Sequence, residues 1–233
     1  MSIDKVLNLT NVRFGYEPAP TLINIDHFDI KSGESVFLKG PSGSGKSTLP
    51  GLIGGVLAPQ AGKLSLCGSD MTTISSGKRD KIRADHLGII FQQFNLLPYI
   101  GVLQNCTLPC RFSLRRRQRA IESSGSVLTE AEALIRGLGL KEEEFLRPVR
   151  ELSVGQQQRV AVARALIGGP DLIIADEPTS ALDHDNRDRF IDLLNHSRET
   201  YGTALLFVSH DQTLASHFDR SVSLSELNSK VTA

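Results

Sequence analysis

The feature that most limits what this chain can become is the segment Gly40-Pro41-Ser42-Gly43-Ser44-Gly45-Lys46-Ser47. It fits G-x-x-x-x-G-K-[ST], follows the strand-like Ser35-Val36-Phe37-Leu38 and leads into a helix-like stretch, the context a phosphate-binding loop requires. Glycines let backbone N–H groups curl around phosphate oxygens with no Cβ in the way, and the helix behind offers its positive end to the same anion. The pattern marks Gly40, Pro41, Ser42, Gly43, Ser44, Gly45 and Thr48 as nucleotide-contacting candidates. Lys46 is expected to bridge the β- and γ-phosphates of a nucleoside triphosphate, and the Ser47 hydroxyl to ligate Mg²⁺.

A second element, Leu172-Ile173-Ile174-Ala175-Asp176-Glu177, is an apolar strand ending in two carboxylates. Alone it reads equally well as a turn or a helix cap; beside a phosphate loop it gains meaning. Asp176, at the C-terminal edge of the strand, is placed to hold the Mg²⁺ hydration shell. Glu177, next in line, can polarise the water that attacks the γ-phosphate.

The rest of the chain supports an α/β frame for these elements. Val6 to Leu9, Leu22 to Ile30, Ser35 to Leu38, Lys63 to Cys67 and Leu87 to Phe91 read as strands. Lys46 into Gly54, Thr129 to Leu138, Lys141 to Phe145, Gln157 to Ile167 and Asn186 to Glu199 read as helices. Leu172 to Ala175 and Ala204 to Val208 are near-continuously apolar, as strands buried on both faces of a parallel sheet are. Between Asn95 and Leu152 Leu, Arg and Glu dominate, which predicts a helical subdomain inserted into the α/β core.

Composition excludes several alternatives. The 26 Lys and Arg balance the 26 Asp and Glu, so no basic excess points to nucleic acid, and no such partner is expected. No apolar run approaches the roughly 18 residues of a membrane span. Three cysteines, Cys67, Cys106 and Cys110, and a start without a charged, apolar leader predict a reducing, intracellular compartment. Cys106 and Cys110 are four apart, but no His or further Cys stands at ligand spacing, so all three read as small apolar residues. The run Arg115-Arg116-Arg117-Gln118-Arg119 reads chiefly as a solvated face, with contact to a partner or anionic lipid as the alternative.

A third set of motifs goes further: Leu152-Ser153-Val154-Gly155-Gln156-Gln157-Gln158-Arg159, then Asp176-Glu177-Pro178-Thr179-Ser180-Ala181-Leu182-Asp183, then His210 after Leu206-Phe207-Val208-Ser209. Together with the phosphate loop, this combination resembles the nucleotide-binding domain of ABC transporters over essentially the whole chain. Phe91-Gln92-Gln93-Phe94-Asn95-Leu96-Leu97-Pro98 and the segment from Gly155 to Leu166 look most like the MacB/LolD-type exporter and lipoprotein-release branch.

The resemblance implies a P-loop NTPase (RecA-like) core with an N-terminal antiparallel β subdomain, over approximately residues 1–91 and 157–233, and a helical subdomain over approximately 92–156. It implies ATP and Mg²⁺ as cofactors. Tyr16 falls where the family stacks an aromatic ring on adenine. Gln92 falls at the position that touches Mg²⁺ or the attacking water, and His210 at the histidine that contacts the γ-phosphate. Ser153, Gly155 and Gln156 form the signature segment that serves the ATP of a second copy, and Asp183 faces that copy. The implied partners are a second copy, completing two ATP sites head to tail, and an integral membrane permease at the cytoplasmic face of the inner membrane. A short helix of that permease is expected in a cleft lined by residues from about Gln92 to Gln104, with Phe94, Leu96, Leu97 and Tyr99 as apolar contacts. A non-transport ABC-type ATPase with a mechanical signalling role is the alternative.

Two residues and the C-terminal tail depart from the family pattern. Val154 replaces a glycine, which predicts weaker engagement of the opposing nucleotide because a β-branched residue resists positive φ and adds bulk. Pro50 is expected to bend the helix after the loop. The tail from Ser221 to Ala233 lacks the usual final turn and is expected to fray.

Overall fold

A computed structural model of the chain describes residues 4–18, 20–41, 43–179 and 184–228. Two sheets organise it. In the first, β1 (Lys5–Phe14) runs antiparallel to both β2 (Ile23–Lys31) and β4 (Ala61–Leu66), and the two-residue β5 (Ser69–Asp70) closes the order β2-β1-β4-β5. Alternation along β1 buries Leu7 and Leu9, then slips at Asn11, whose φ of 51° accompanies a register shift between Thr10 and Arg13. The bulge returns Val12 and Phe14 to the buried face.

The second sheet is wholly parallel, in the order β6 (Leu87–Ile90), β7 (Leu172–Asp176), β8 (Ala204–Ser209), β3 (Ser35–Lys39) and β9 (Arg220–Ser223). β6, β7, β8 and β3 are largely apolar on both faces because both faces are covered, whereas the edge strand β9 is polar. Phe37, Ile173, Ala175, Leu205 and Phe207 join the core beneath the helices, whereas Val36, Leu38, Ile174, Leu206 and Val208 join the core shared with the first sheet.

The helix after the phosphate loop is α1 (Thr48–Ile53), and Ser76–His86 forms α2. Between β6 and β7 stand α3 (Val102–Thr107), α4 (Pro109–Phe112), α5 (Leu114–Ser124), α6 (Val127–Gly137), two 3₁₀ turns at Glu142–Glu144 and Val149–Glu151, and α7 (Val154–Leu166). The stretch expected as a helix at Lys141 to Phe145 is thus a single 3₁₀ turn. α8 (His184–Tyr201) precedes β8, and α9 (Leu224–Leu227) follows β9. Among the described residues no helix is long and apolar enough to cross a membrane.

Pro50 is the third residue of α1, one place after Leu49 N bonds Gly45 O at 3.0 Å, so its ring omits one bond of the first turn, where the loss is smaller than in a helix interior. Two local expectations change. The tail is tied down as far as Asn228: Leu224 is buried, and the Asn228 side chain accepts from Asn24 N at 2.9 Å and donates to Leu22 O at 3.0 Å; residues 229–233 lie outside the described residues. The arginine run is a fastening. Arg116, 2% exposed, donates to the carbonyls of Leu87, Arg164, Ala165 and Ile167, and burial pushes its pKa down to about 10. Arg115 binds both Asp171 oxygens at 3.0 and 2.9 Å, and only Arg117 and Gln118 are left exposed without a bond of this kind.

Cys106 and Cys110 are buried and free, as expected of small apolar residues. Burial pushes the Cys110 thiol up to about 11.

Candidate active site

Strand order decides which residues meet. β8 lies between β3 and β7, with Lys39 level with Ser209 and Asp176 level with Val208. The three C-terminal ends therefore deliver the loop before α1, the Ser209-His210 pair and the Asp176-Glu177 pair to one place, the edge where parallel sheets bind ligands. A pocket of ≈ 380 Å³ opens there, lined by Leu22, Gly43, Gly45, Lys46, Ser47, Thr48, Gln92, Glu177 and His210.

The loop is shaped by two glycines of positive φ, Gly43 at 77° and Gly45 at 97°. A Cβ on Gly45 would stand 2.8 Å from Ile23 Cδ1, whereas one on Gly43 would meet nothing within 4 Å. Lys46 is 9% exposed and folds onto its own loop, donating from Nζ to Gly40 O at 2.7 Å and Pro41 O at 2.8 Å. Ser44 Oγ donates to the same Pro41 carbonyl at 2.8 Å. These carbonyls hold the ammonium group where phosphate oxygens could take it over.

Glu177 has a φ of 46°, a conformation that disfavours side chains longer than Asn or Asp and is found where structure over-determines it. Here its N–H bonds Val208 O at 2.9 Å. Its carboxylate meets His210 Nδ1 at 3.0 and 2.9 Å, accepts from Ser209 Oγ at 3.4 Å and lies 3.9 Å from Lys46 Nζ.

Asp176 Oδ1 is buried with no hydrogen-bond partner, while the Ser47 hydroxyl bonds the same side chain. Burial, then the charge of Glu177, raises its pKa above the ordinary carboxylate range against that bond and the Lys46 charge. An orphaned buried carboxylate oxygen beside a hydroxyl, at the edge of a pocket that also holds the Gln92 amide, fits a hard, oxygen-loving cation such as Mg²⁺.

Tyr16 stands beside the pocket, its hydroxyl 3.5 Å from Thr48 Oγ1 and its ring edge-on to Phe14 at 5.0 Å, with half its surface exposed. Ser153, Gly155 and Gln156 do not line the pocket. They open α7 as a capping box: Gln156 N donates to Ser153 Oγ at 3.3 Å, and Ser153 N donates to Gln156 Oε1 at 2.8 Å. Val154 is the first residue of this helix and 52% exposed. Its backbone is helical, so the expected conflict over positive φ does not arise and only its bulk remains. Ser42 and Asp183 lie outside the described residues.

An apolar pocket opens directly before the stretch from Gln92 to Gln104 that was expected to line a cleft. Phe94 is 6% exposed and belongs to the core, while Tyr99 is 78% exposed and carries the Arg150 guanidinium over its ring. The pocket, ≈ 520 Å³, lies between α2, β6 and α4, with Ile89, Phe91, Leu108 and Phe112 on its walls.

Sequence reasoning missed several supporting side chains. Ser209 bridges Glu177 and the N–H of Asp211 at 3.2 Å. Asp211 is ion-paired with Arg187 of α8. Gln158, 4% exposed, donates to Pro178 O at 3.1 Å, steadying the turn after Glu177. A serine at the end of a strand or the third of three glutamines carries no local signal of such duty.

Comparison with known proteins agrees with this geometry. The family model described as ABC transporter matches residues 23–180. The ABC transporter ATP-binding protein YbbA of Escherichia coli is 41% identical over 195 residues, 84% of this chain and 82% of that protein. LolD, the ATP-binding protein of a lipoprotein-releasing system in Psychrobacter arcticus, is 36% identical over 94% of this chain and 95% of its own. The dimeric cassette MJ0796 of Methanocaldococcus jannaschii, solved in a post-hydrolysis state with ADP and Pi, superposes with a TM-score of 0.76 at 34% identity, covering 93% of both chains. The chain belongs to the ABC transporter family, as an ATP-binding subunit that hydrolyses ATP.

Proposed function

We propose that this chain works as a pair of copies that closes on two ATP molecules and drives a separate membrane permease of the exporter or lipoprotein-extraction type. The observation that carries the reading is the division of the phosphate-binding groups within one chain. Lys46, Ser47, Gln92, Glu177 and His210 line one pocket, whereas the exposed N-terminus of α7, with Ser153, Gly155 and Gln156, lines none of it. A second anion-binding helix end with no phosphate of its own has work only against another copy's nucleotide. The dimeric state of MJ0796 supports the same arrangement. Residues 92–156 act as the helical subdomain that carries this end, and residues 1–91 and 157–233 as the α/β part.

In the assigned roles, the backbone N–H groups from Gly40 to Thr48 cradle the phosphates, and Lys46 exchanges the Gly40 and Pro41 carbonyls for β- and γ-phosphate oxygens. Tyr16 supplies a face for the adenine. Ser47, Asp176 and Gln92 would hold Mg²⁺, which would supply positive charge to the phosphates. Glu177 accepts a proton from the attacking water. His210 Nδ1 faces Glu177, which leaves Nε2 for a γ-phosphate oxygen and makes the ring the link between water and phosphate. Asp183 and Ser42 complete the partner-facing and loop contacts.

The permease contact falls in the apolar pocket between α2 and α4, where Phe91 and Phe112 are 38% and 73% exposed and suit a short amphipathic helix. The subunit is held at the cytoplasmic face of the inner membrane by that contact.

Glu177→Gln tests the reading. It keeps every phosphate contact while removing the polarising charge, so at millimolar ATP it should sediment as a dimer and hydrolyse at least ~100-fold more slowly than the parent. A variant that binds ATP and stays monomeric refutes the paired mechanism. Recovery of an integral membrane protein with the tagged chain in detergent tests the permease; recovery of the dimer alone favours the signalling alternative.

A further inference from the structure

A side-chain cluster stands at the other end of the parallel sheet. His86 directly precedes β6 and Asp171 directly precedes β7, so neighbouring parallel strands place them side by side, with His86 Nδ1 2.7 Å from Asp171 Oδ2. Cys67 comes to the same spot from the end of β4. One ligand atom each from Cys67, His86 and Asp171 lie within 4.8 Å of one another, and all three residues are partly buried. β7 has 5 residues, so at about 3.3 Å per residue the cluster is roughly 17 Å from the carboxylate pair at its far end.

We infer that Cys67, His86 and Asp171 form a binding site for one zinc ion, separate from the ATP site. Tetrahedral zinc with bonds of about 2.0 to 2.3 Å sets its ligands roughly 3.3 to 3.8 Å apart, so the three atoms need move only by about 1 Å. Thiolate, imidazole and carboxylate together match the borderline softness of Zn²⁺ rather than the all-oxygen preference of Mg²⁺. On binding, the thiol proton leaves to solvent, the proton of the His86 Nδ1–Asp171 Oδ2 hydrogen bond exchanges through solvent to His86 Nε2, and the thiolate and carboxylate then cancel the charge of the ion. Arg115 holds Asp171 from outside through Nη2, at 3.0 and 2.9 Å, and its side chain is 37% exposed, so solvent screens it while it fixes the carboxylate, as outer partners of metal ligands do. Three protein ligands leave a fourth position for water.

The backbone supplies a second observation. Cys67 and Gly68 both have positive φ, 47° and 79°, in the turn between β4 and β5. Such turns favour Asn-Gly or Asp-Gly, and a cysteine is held there against local preference. The strained position aims its thiol at His86 at the end of α2 and Asp171 just before β7, and bound zinc would tie β4, α2 and β7 together.

The turn also provides a clean variant, because Asn suits the same backbone: Cys67→Asn should fold at least as well as the parent. With the full-length chain freed of metal by chelator, Co²⁺ should add one equivalent with thiolate-to-cobalt charge-transfer absorption. Zn²⁺ should displace it with a dissociation constant on the order of 1 µM or tighter. At Zn²⁺ 100-fold above that constant, Tm should rise by about 5 to 10 °C. Cys67→Asn should abolish the absorption and the Tm shift and weaken zinc at least ~10-fold, with Mg²⁺-dependent ATP hydrolysis unchanged; Cys110→Ala should keep all three metal signals. Absence of the thiolate absorption in the parent, or its survival in Cys67→Asn, overturns the site.

Discussion

Arg116→Leu measures whether the arginine run is a fastening or a solvated face. In the folded chain the Arg116 guanidinium is buried among the carbonyls of Leu87, Arg164, Ala165 and Ile167, at 3.2, 3.3, 2.7 and 2.7 Å. No carboxylate forms an ion pair with it among the described residues; the bonds, together with the nearby charge of Glu130, offset its removal from water. Leucine keeps much of the apolar stem but leaves the last carbonyls of α7 without donors, and helix-end carbonyls have no partner inside the helix. Stranding the two acceptors at 2.7 Å costs about 1 to 3 kcal/mol each, while relief of the buried charge returns part of that. The expected net loss is about 3 kcal/mol, equivalent to a Tm lower by about 6 to 12 °C in a chain of this size. Urea unfolding followed by circular dichroism gives the free energy directly, with Arg117→Leu, one residue on and exposed, as a control expected within about 0.5 kcal/mol of the parent. Arg116→Lys should recover less than half of the loss, because one ammonium group cannot span four carbonyls as the fork does. A loss below about 1 kcal/mol for Arg116→Leu, or an equal loss for Arg117→Leu, refutes the fastening.

Three further outcomes follow from the site. Asp176→Asn should separate stability from activity: the Asp176 pKa is raised in the fold, so its carboxylate costs stability as pH climbs through and above the carboxylate range, and the amide removes that cost. Thermal melts of the nucleotide-free variant at neutral pH should rise by about 1 to 4 °C, while Mg²⁺-dependent hydrolysis drops at least ~100-fold; a lower Tm contradicts the raised pKa. Gly45→Ala should lose more than Gly43→Ala in both Tm and ATP affinity, since both must hold positive φ but only the Gly45 Cβ strikes Ile23, at 2.8 Å; equal losses in denaturant titrations would show that backbone strain alone matters. Val154→Gly, at an exposed helical position, should leave ATP affinity of the single chain unchanged and alter only the rate at which pairs turn over; a change in single-chain affinity would mean that Val154 acts within its own site.

The chemistry of the pocket was legible along the chain because its parts are local. The loop from Gly40 to Ser47 needs glycines at fixed offsets, and Asp176-Glu177 ends a strand whose burial on both faces forces an unbroken apolar run. The same reasoning found β3, β6, β7 and β8. It passed over α2, none of whose residues is buried, since a helix with no apolar face leaves no period to read. It also passed over β9, whose four residues gain their strand conformation only from pairing with β3.

The amino-acid order by itself determined that a glycine-rich G-x-x-x-x-G-K-S loop, a carboxylate pair and a histidine would each end a strand, because each is encoded within a few neighbouring residues. Only the tertiary structure decided that β8 would lie between β3 and β7 and so bring His210 onto Glu177, 33 residues away in the chain. It alone placed Arg116 beneath the end of α7 and gathered Cys67, His86 and Asp171 from three elements. Contacts of that kind depend on which strands pair and which faces pack. That choice is made by the burial of the whole apolar surface at once, and no short stretch of residues contains it.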